Sequence, residues 1–356
     1  MPDDEDIERF VRMSRYAGER FDLIQGNGGN SSVKLSSGQL LIKASGRHLS
    51  EVQKNTGYVT LETHKALDVF ELLEAGFFKC DKSERDVKIS IMLNGLITQS
   101  QGERPSIETL LHALTQKYTL HTHPVVVNAA LCKGNWAELL SGLFPDAGFV
   151  TYETPGAGLA VKMKNALKGQ HKKIIFLQNH GLIVTSDIYG EIETLTETVL
   201  EKLESYFSVN YSRYKLTTKL SALINKLNGD YFISSLSEDI GLNSALAQNR
   251  GVFFKKPFFP DMVVFCGAVA AEISDFDDHK SIENHYHIYG EIPRVVICGD
   301  NIFFTAPSVK KTKEMEEVLK LHVFAHNAAS ENINYLDTAE IGYILNWEAE
   351  KYRQNK

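Results

Sequence analysis

Three histidines and one glutamate have the types and spacing to hold a metal ion in this 356-residue chain. His121-Thr122-His123 sets two imidazoles two residues apart. On a strand, alternate side chains share a face, so both rings can take neighbouring corners of one coordination polyhedron. His180 follows a second apolar run, Lys173-Ile174-Ile175-Phe176-Leu177, and lies in the turn Gln178-Asn179-His180-Gly181. Glycine gives that turn the backbone freedom for a third ring to converge. Three neutral nitrogen donors suit zinc or another divalent metal and leave a position for water or substrate. Glu108 precedes them. By itself it reads as a helix N-terminal carboxylate favoured by the macrodipole; beside the histidines it reads as a ligand or general base. His112, one turn further on, reads as a supporting or structural residue rather than a ligand.

The chain carries its own control. His285-Tyr286-His287 has the same spacing, but charged residues flank it and no apolar strand precedes it. The second pair is therefore expected to be exposed and without chemistry.

The elements that must position these groups follow from periodicity and turn chemistry. Residues 4–18 predict an amphipathic helix with Ile7, Phe10, Val11 and Met13 among charges. The turn cluster QGNGGNSS (25–32) leads into a hairpin of 32–35 and 39–43 around Ser36-Ser37-Gly38. A helix is expected over 81–93, with Val87, Ile91 and Met92 inward. Another runs from an N-cap at Ser106 through IETLLHALTQK. Tyr118-Thr119-Leu120 predicts a strand that ends on the first histidine pair. Residues 173–177 and 182–184 are further strand segments, and 187–207 a long helix. Beyond that, 215–226 is Lys-rich, helical and partly linker. FFPDMVVFCG (258–267), 294–299 and 302–304 read as strands, and 310–331 and 339–352 as helices. No strand–GxGxxG–helix fingerprint for a dinucleotide occurs.

Five segments in order, GNGGNSSVKL (26–35), LLIKASG (40–46), RPSIETLLHALTQKY (104–118), LHTHP (120–124) and LQNHGLIV (177–184), together resemble the class II aldolase/adducin family. Fuculose-phosphate aldolase and ribulose-phosphate 4-epimerase are its best-known enzymes. The resemblance covers roughly residues 5–210. It implies a three-layer α/β/α domain with a central mixed or antiparallel sheet. It also implies that His121, His123 and His180 fall on the zinc-binding histidines, and Glu108 on the acid that ligates or flanks zinc and moves protons. Gly29 and Asn30 fall on the Gly-rich segment that meets the substrate phosphate, Ser45 and Gly46 on a second phosphate loop, and Ser106 on the serine just before the acid. Such loops can hold a phosphate with backbone N–H groups and hydroxyls. Lys43 and Arg47 depart from the pattern, as does Ile107 where some members have serine. They read either as solvated edge residues or as donors to a changed anion. The family also uses a tyrosine from a neighbouring subunit, for which Tyr152 and Tyr206 are candidates, and it implies a homotetramer.

The expected domains are 1–212, the metal-binding catalytic part, and 213–356, a smaller α/β extension acting as lid or interface. FFPDMVVFCG and EIGYILNWEAEKYRQ in this extension are similar to the later part of the aldolase half of aldolase–dehydrogenase fusions. The balance of 38 Lys+Arg against 45 Asp+Glu argues against a general nucleic-acid binder. Cys80, Cys132, Cys266 and Cys298 show no CxxC spacing and are expected as buried thiols of a cytoplasmic protein. No apolar run reaches the length of a membrane span. The expected activity is a zinc-dependent lyase that makes or breaks a C–C bond in a small sugar or sugar phosphate through a metal-stabilised enediolate. A 4-epimerase, dehydratase or decarboxylase would use the same site, and a non-catalytic adducin-like scaffold would need none of it.

Overall fold

The computed structural model describes residues 2–76, 80–228, 232–329 and 331–347. The chain divides into two compact units, Met1–Tyr211 and Ser212–Lys356.

In the first unit eight strands form one sheet: β1 (Asn30–Lys34), β2 (Gln39–Lys43), β3 (Tyr58–Glu62), β4 (Ile97–Gln99), β5 (Tyr118–Thr122), β6 (Gly148–Val150), β7 (Ile174–Leu177) and β8 (Gly181–Ser186). Their order is β4-β3-β2-β1-β5-β8-β7-β6. Every pairing is antiparallel except β6 with β7.

Neighbouring residues of one strand go to opposite faces, and here both faces are buried. Leu41, Phe176, Leu182 and Val184 pack with Phe10, Val126, Val127, Val199 and Leu203 from helices on one side. Ile175, Leu177 and Ile183 pack with Val69, Ile89, Leu93, Leu110 and Met163 on the other. Apolar residues at successive strand positions are thus explained by helices on both sides of the sheet. The result is the three-layer α/β/α arrangement, with antiparallel pairing dominant.

The second unit has a four-stranded sheet of β9 (Ile233–Leu236), β10 (Ala271–Ile273), β11 (Val295–Cys298) and β12 (Asn301–Ala306), in the order β10-β11-β12-β9. The helix Val309–Ala329 buries Met315, Leu319 and Val323 into a core shared with Val295, Ile297 and Phe304.

Several expectations are corrected. The segment from Ser106 forms only the short helix Thr109–Ala113, with Glu108 at its N-cap position. The helix Lys82–Gly95 turns Ile89 and Leu93 inward, while Val87 and Ile91 are exposed. FFPDMVVFCG contains no strand: Met262–Cys266 is a π-helical turn closed by Gly267 at φ +79°. A short apolar run does not by itself separate strand from buried helix. His285 and His287 lie on the helix His279–Tyr289, and His285 is buried rather than exposed. Of the cysteines, Cys266 and Cys298 are buried, but Cys132 is exposed and Cys80 is intermediate. The last expected helix, 339–352, is Thr338–Asn346, with Trp347 in extended backbone past its end; residues 348–352 lie outside the described residues. Among the described residues, no helix is long and apolar enough to cross a membrane.

Candidate metal centre

The centre lies where β5 ends and β8 begins. All five residues of β5 are buried. His121 is its penultimate residue and is fully buried. His123 stands one position past the strand, where its N–H donates to the Leu23 carbonyl at 2.9 Å. Pro124 then turns the chain into the helix Val125–Leu131. The strand's alternation persists through this last step, so the two rings share a side. His180 sits in the β7–β8 turn, which Asn179 makes possible by taking φ +51°.

The imidazoles converge. His121 Nε2 is 3.2 Å from His180 Nε2 and 3.1 Å from His123 Nε2. One ligand atom from each of the three lies within 4.8 Å of the others. His121 Nδ1 is 3.0 Å from the Leu182 carbonyl oxygen. A carbonyl only accepts, so Nδ1 carries the proton and Nε2 is left with a bare lone pair. Glu108 Oε1 closes the group at 3.4 Å from His121 Nε2 and 3.3 Å from His180 Nε2.

This donor set fits a divalent cation. Lone pairs and a carboxylate facing one point at these distances repel one another unless a positive charge sits among them. Burial disfavours ionisation of Glu108, yet His121 and His180 hold its carboxyl well below the usual carboxylate range. His121 is also held against burial, and Glu108 raises it above the ordinary histidine value. Burial, reinforced by His121 and His180, pushes His123 down to about 3, so it stays neutral and ready to donate a lone pair.

Three glycines clear the space around the rings. A Cβ on Gly181 would meet the Thr122 carbonyl at 2.4 Å and His123 Cδ2 at 2.8 Å. One on Gly28 would meet His123 Nδ1 at 2.9 Å, and one on Gly29, at φ +73°, the His121 carbonyl at 2.9 Å. The steric role of Gly181 had a signal in its adjacency to His180, whereas that of Gly28 arises only where the fold brings its loop against His123.

The other candidate residues are stitched around this point by backbone bonds. Asn30 is buried and pairs in register with His121. Asn27 Nδ2 donates to the Gly46 carbonyl at 3.0 Å, joining the two Gly-containing loops. Ser45 N donates to the Arg104 carbonyl at 2.9 Å, and Ala44 bridges to Pro105. Ser45 and Gly46 are exposed, whereas Ser106 is buried and its Oγ accepts the Glu108 N–H at 3.2 Å. Lys43 is not a solvated edge residue. It is buried, donates to the Arg47 carbonyl at 2.7 Å, and is pushed by burial down to about 8 against the opposing pull of Glu108. Arg47 points away into an ion pair with Glu103 at 2.7 Å. His112 is fully buried, with Nδ1 2.7 Å from Ser32 Oγ, and burial lowers it to about 3. That environment makes it a neutral prop behind Glu108. Tyr152 and Tyr206 are half exposed.

This fold and this centre define a class. The sequence model described as "Class II Aldolase and Adducin N-terminal domain" matches residues 8–206, and the chain belongs to that family. A curated relative, the uncharacterized oxidoreductase YuxG of Bacillus subtilis (strain 168), is 23% identical over 221 residues. The match covers 59% of this chain but 31% of that protein, so this chain spans about a third of the relative's length. Among solved structures, the N-terminal class II aldolase domain of a conserved protein from Thermoplasma acidophilum is 24% identical with a TM-score of 0.49, covering 57% of this chain and 93% of that one. An aldolase II superfamily protein from Pseudomonas syringae is 14% identical with a TM-score of 0.43, covering 58% and 76%.

Proposed function

We propose that this chain is a metal-dependent lyase of the class II aldolase type, with zinc as the metal, acting on a small sugar or sugar phosphate. The observation that carries this reading is the convergence of three imidazole Nε2 atoms and Glu108 Oε1 on one point. His121, His123 and His180 would hold the cation. Bound there, a divalent cation supplies Lewis acidity to a substrate carbonyl, which lowers the cost of placing negative charge on that oxygen when the adjacent C–C bond breaks. Glu108 is buried and ionised beside the same point, so it is placed to take the proton of a substrate hydroxyl and return it to carbon. Its backbone is held at the helix start by the bond from its N–H to Ser106 Oγ.

The anionic end of the substrate would lie against Gly29, Asn30, Ser45, Gly46 and Ser106, with the Lys43 amine behind them. Free N–H groups and hydroxyls of such loops bind a phosphate without a broad basic surface. A homotetramer is part of the same proposal, and light scattering that finds only monomer removes it.

The test is to load purified protein with zinc, incubate it with candidate ketose phosphates and identify the products. Appearance of dihydroxyacetone phosphate and an aldehyde supports cleavage. A product with one inverted carbon, a lost water or released carbon dioxide assigns the centre to epimerisation, dehydration or decarboxylation instead. Protein that retains no divalent metal after loading, and whose behaviour is unchanged by His121→Ala, sinks the enzyme reading as a whole.

A further inference from the structure

The far end of the same sheet holds a second group of reactive side chains. β1 carries Asn30 at one end, beside the metal centre, and Lys34 at the other. There, Lys34, Gln116, Lys117, His171 and Asp187 are among the residues that line an open cleft of about 460 Å³. The Lys34 amine donates to the carbonyls of Ala113, at 2.9 Å, and Thr115. Among the described residues no carboxylate forms an ion pair with it. Lys117, by contrast, is paired with Asp6 at 2.7 Å.

We propose that Lys34 is a covalent acylation site whose cleft admits small acyl phosphates. Counting donors supports this. A neutral amine has two N–H groups and one lone pair. Two backbone carbonyls take the two N–H groups, which leaves the lone pair for an electrophile in the cleft. Burial lowers the amine to about 8, against the opposing field of Asp187, so much more of it is neutral near pH 7 than of an ordinary lysine. In the reaction the amine nitrogen attacks the acyl carbon and forms the C–N bond. The C–O bond to phosphate breaks, and phosphate departs with the electron pair. The nitrogen's surplus proton passes to His171 or water. No oxidant or reductant is required.

The product has a structural consequence. An amide nitrogen keeps one hydrogen, so either Ala113 or Thr115 loses its donor. Ala113 ends the helix whose N-cap position is Glu108. Loss at Ala113 slackens the far end of the helix that follows Glu108, whereas loss at Thr115 falls on the connection to the next strand.

Lys43 separates access from acidity. Its amine is depressed to the same value, about 8, but the residue is 3% exposed and is not among the residues that line the Lys34 cleft. The experiment treats the full-length, zinc-loaded protein with limiting acetyl phosphate across pH 6.5–10 and follows each lysine by peptide mass spectrometry. At pH 7.5 Lys34 should acetylate roughly tenfold or more faster than the exposed Lys54, and faster than Lys43, with its rate levelling off near pH 8. Asp187→Asn, which removes the opposing charge yet keeps an acceptor for the Lys117 N–H, should speed the reaction further. Equal rates at Lys34 and Lys54 overturn the proposal. Labelling of Lys34 by acetic anhydride but not by acetyl phosphate overturns the assignment of acyl phosphates. None of these readouts depends on lyase activity, so the proposal stands or falls apart from the proposed function.

Discussion

His121-Thr122-His123 and His285-Tyr286-His287 have one spacing and two outcomes. The first pair runs off the end of a strand, where residues two apart point the same way, and a third imidazole arrives from the neighbouring turn. The second pair lies on a helix, where two steps rotate a side chain by about 200°. His285 is accordingly buried against Tyr289, with ring centroids 4.8 Å apart, while His287 is exposed on the other side. Buried His285 and half-buried His123 are neutral for the same reason, desolvation: it pushes His285 down to about 4 and, with help from two neighbouring imidazoles, His123 to about 3. A buried neutral histidine is therefore not a ligand by virtue of its state. The backbone beneath it decides whether lone pairs meet.

The largest effect that could break this contrast is removal of a histidine from each pair. His121→Ala should abolish turnover and weaken zinc binding by more than about 100-fold, beyond what loss of a supporting partner costs. His287→Ala should leave both unchanged. Equal metal content in wild type and His121→Ala, measured by atomic emission after dialysis, would remove the distinction between the pairs.

Glu108→Gln sharpens the contrast by keeping shape and removing charge. The amide can still accept one hydrogen bond, but it cannot balance a cation or carry a proton at neutral pH. Turnover should fall by about 10²–10⁴-fold, the usual range for a general acid–base group, with zinc still bound. Loss of zinc alongside turnover would assign Glu108 to metal binding instead of proton transfer.

Much of this was legible in advance because the signals were local. The hairpin at 32–43, the strand that carries His121 near its end and the turn bearing His180 all follow from alternation and glycine placement. Glu108 was legible only as ambiguous: a carboxylate at a helix start has a sufficient structural reason to be there, and the structure indeed leaves it at the N-cap position. Its approach to His121 depends on β1 lying between β2 and β5, a long-range pairing that no short window encodes. Lys43 was misjudged in its solvated reading for a similar reason. A lysine at a strand end looks like an edge residue until a loop folds over it and offers the Arg47 carbonyl. The π-helical turn at Met262–Cys266 was hidden by composition, since MVVFC suits a strand equally well. What fixes it is tertiary: Arg294 donates to the Val264 carbonyl, and Glu291 accepts from the Ala268 N–H at 2.9 Å.

The smallest effect concerns pH and treats the two regions as separable terms. A histidine whose folded value is depressed refuses a proton that the unfolded chain accepts. Its stabilising contribution is complete above the unfolded value, 6.5, and is lost as pH falls toward the folded value. His285, at about 4, should thus lower the melting temperature of the metal-free protein between pH 8 and pH 5. The expected loss is a few degrees, since about 1 kcal/mol moves Tm by about 2–4 °C in a unit of this size. His285→Phe keeps an aromatic ring beside Tyr289 and removes the titration, so it should flatten that slope by this amount. It should not touch the gain in Tm that zinc brings, which falls at low pH for a different reason: His121, raised by Glu108, takes up a proton in competition with the metal. Calorimetry of wild type and His285→Phe, each with and without zinc at pH 5 and pH 8, separates the two. A zinc-dependent increment that changes with His285→Phe would mean that the two histidine pairs are energetically linked, and the contrast drawn from their backbones would fail.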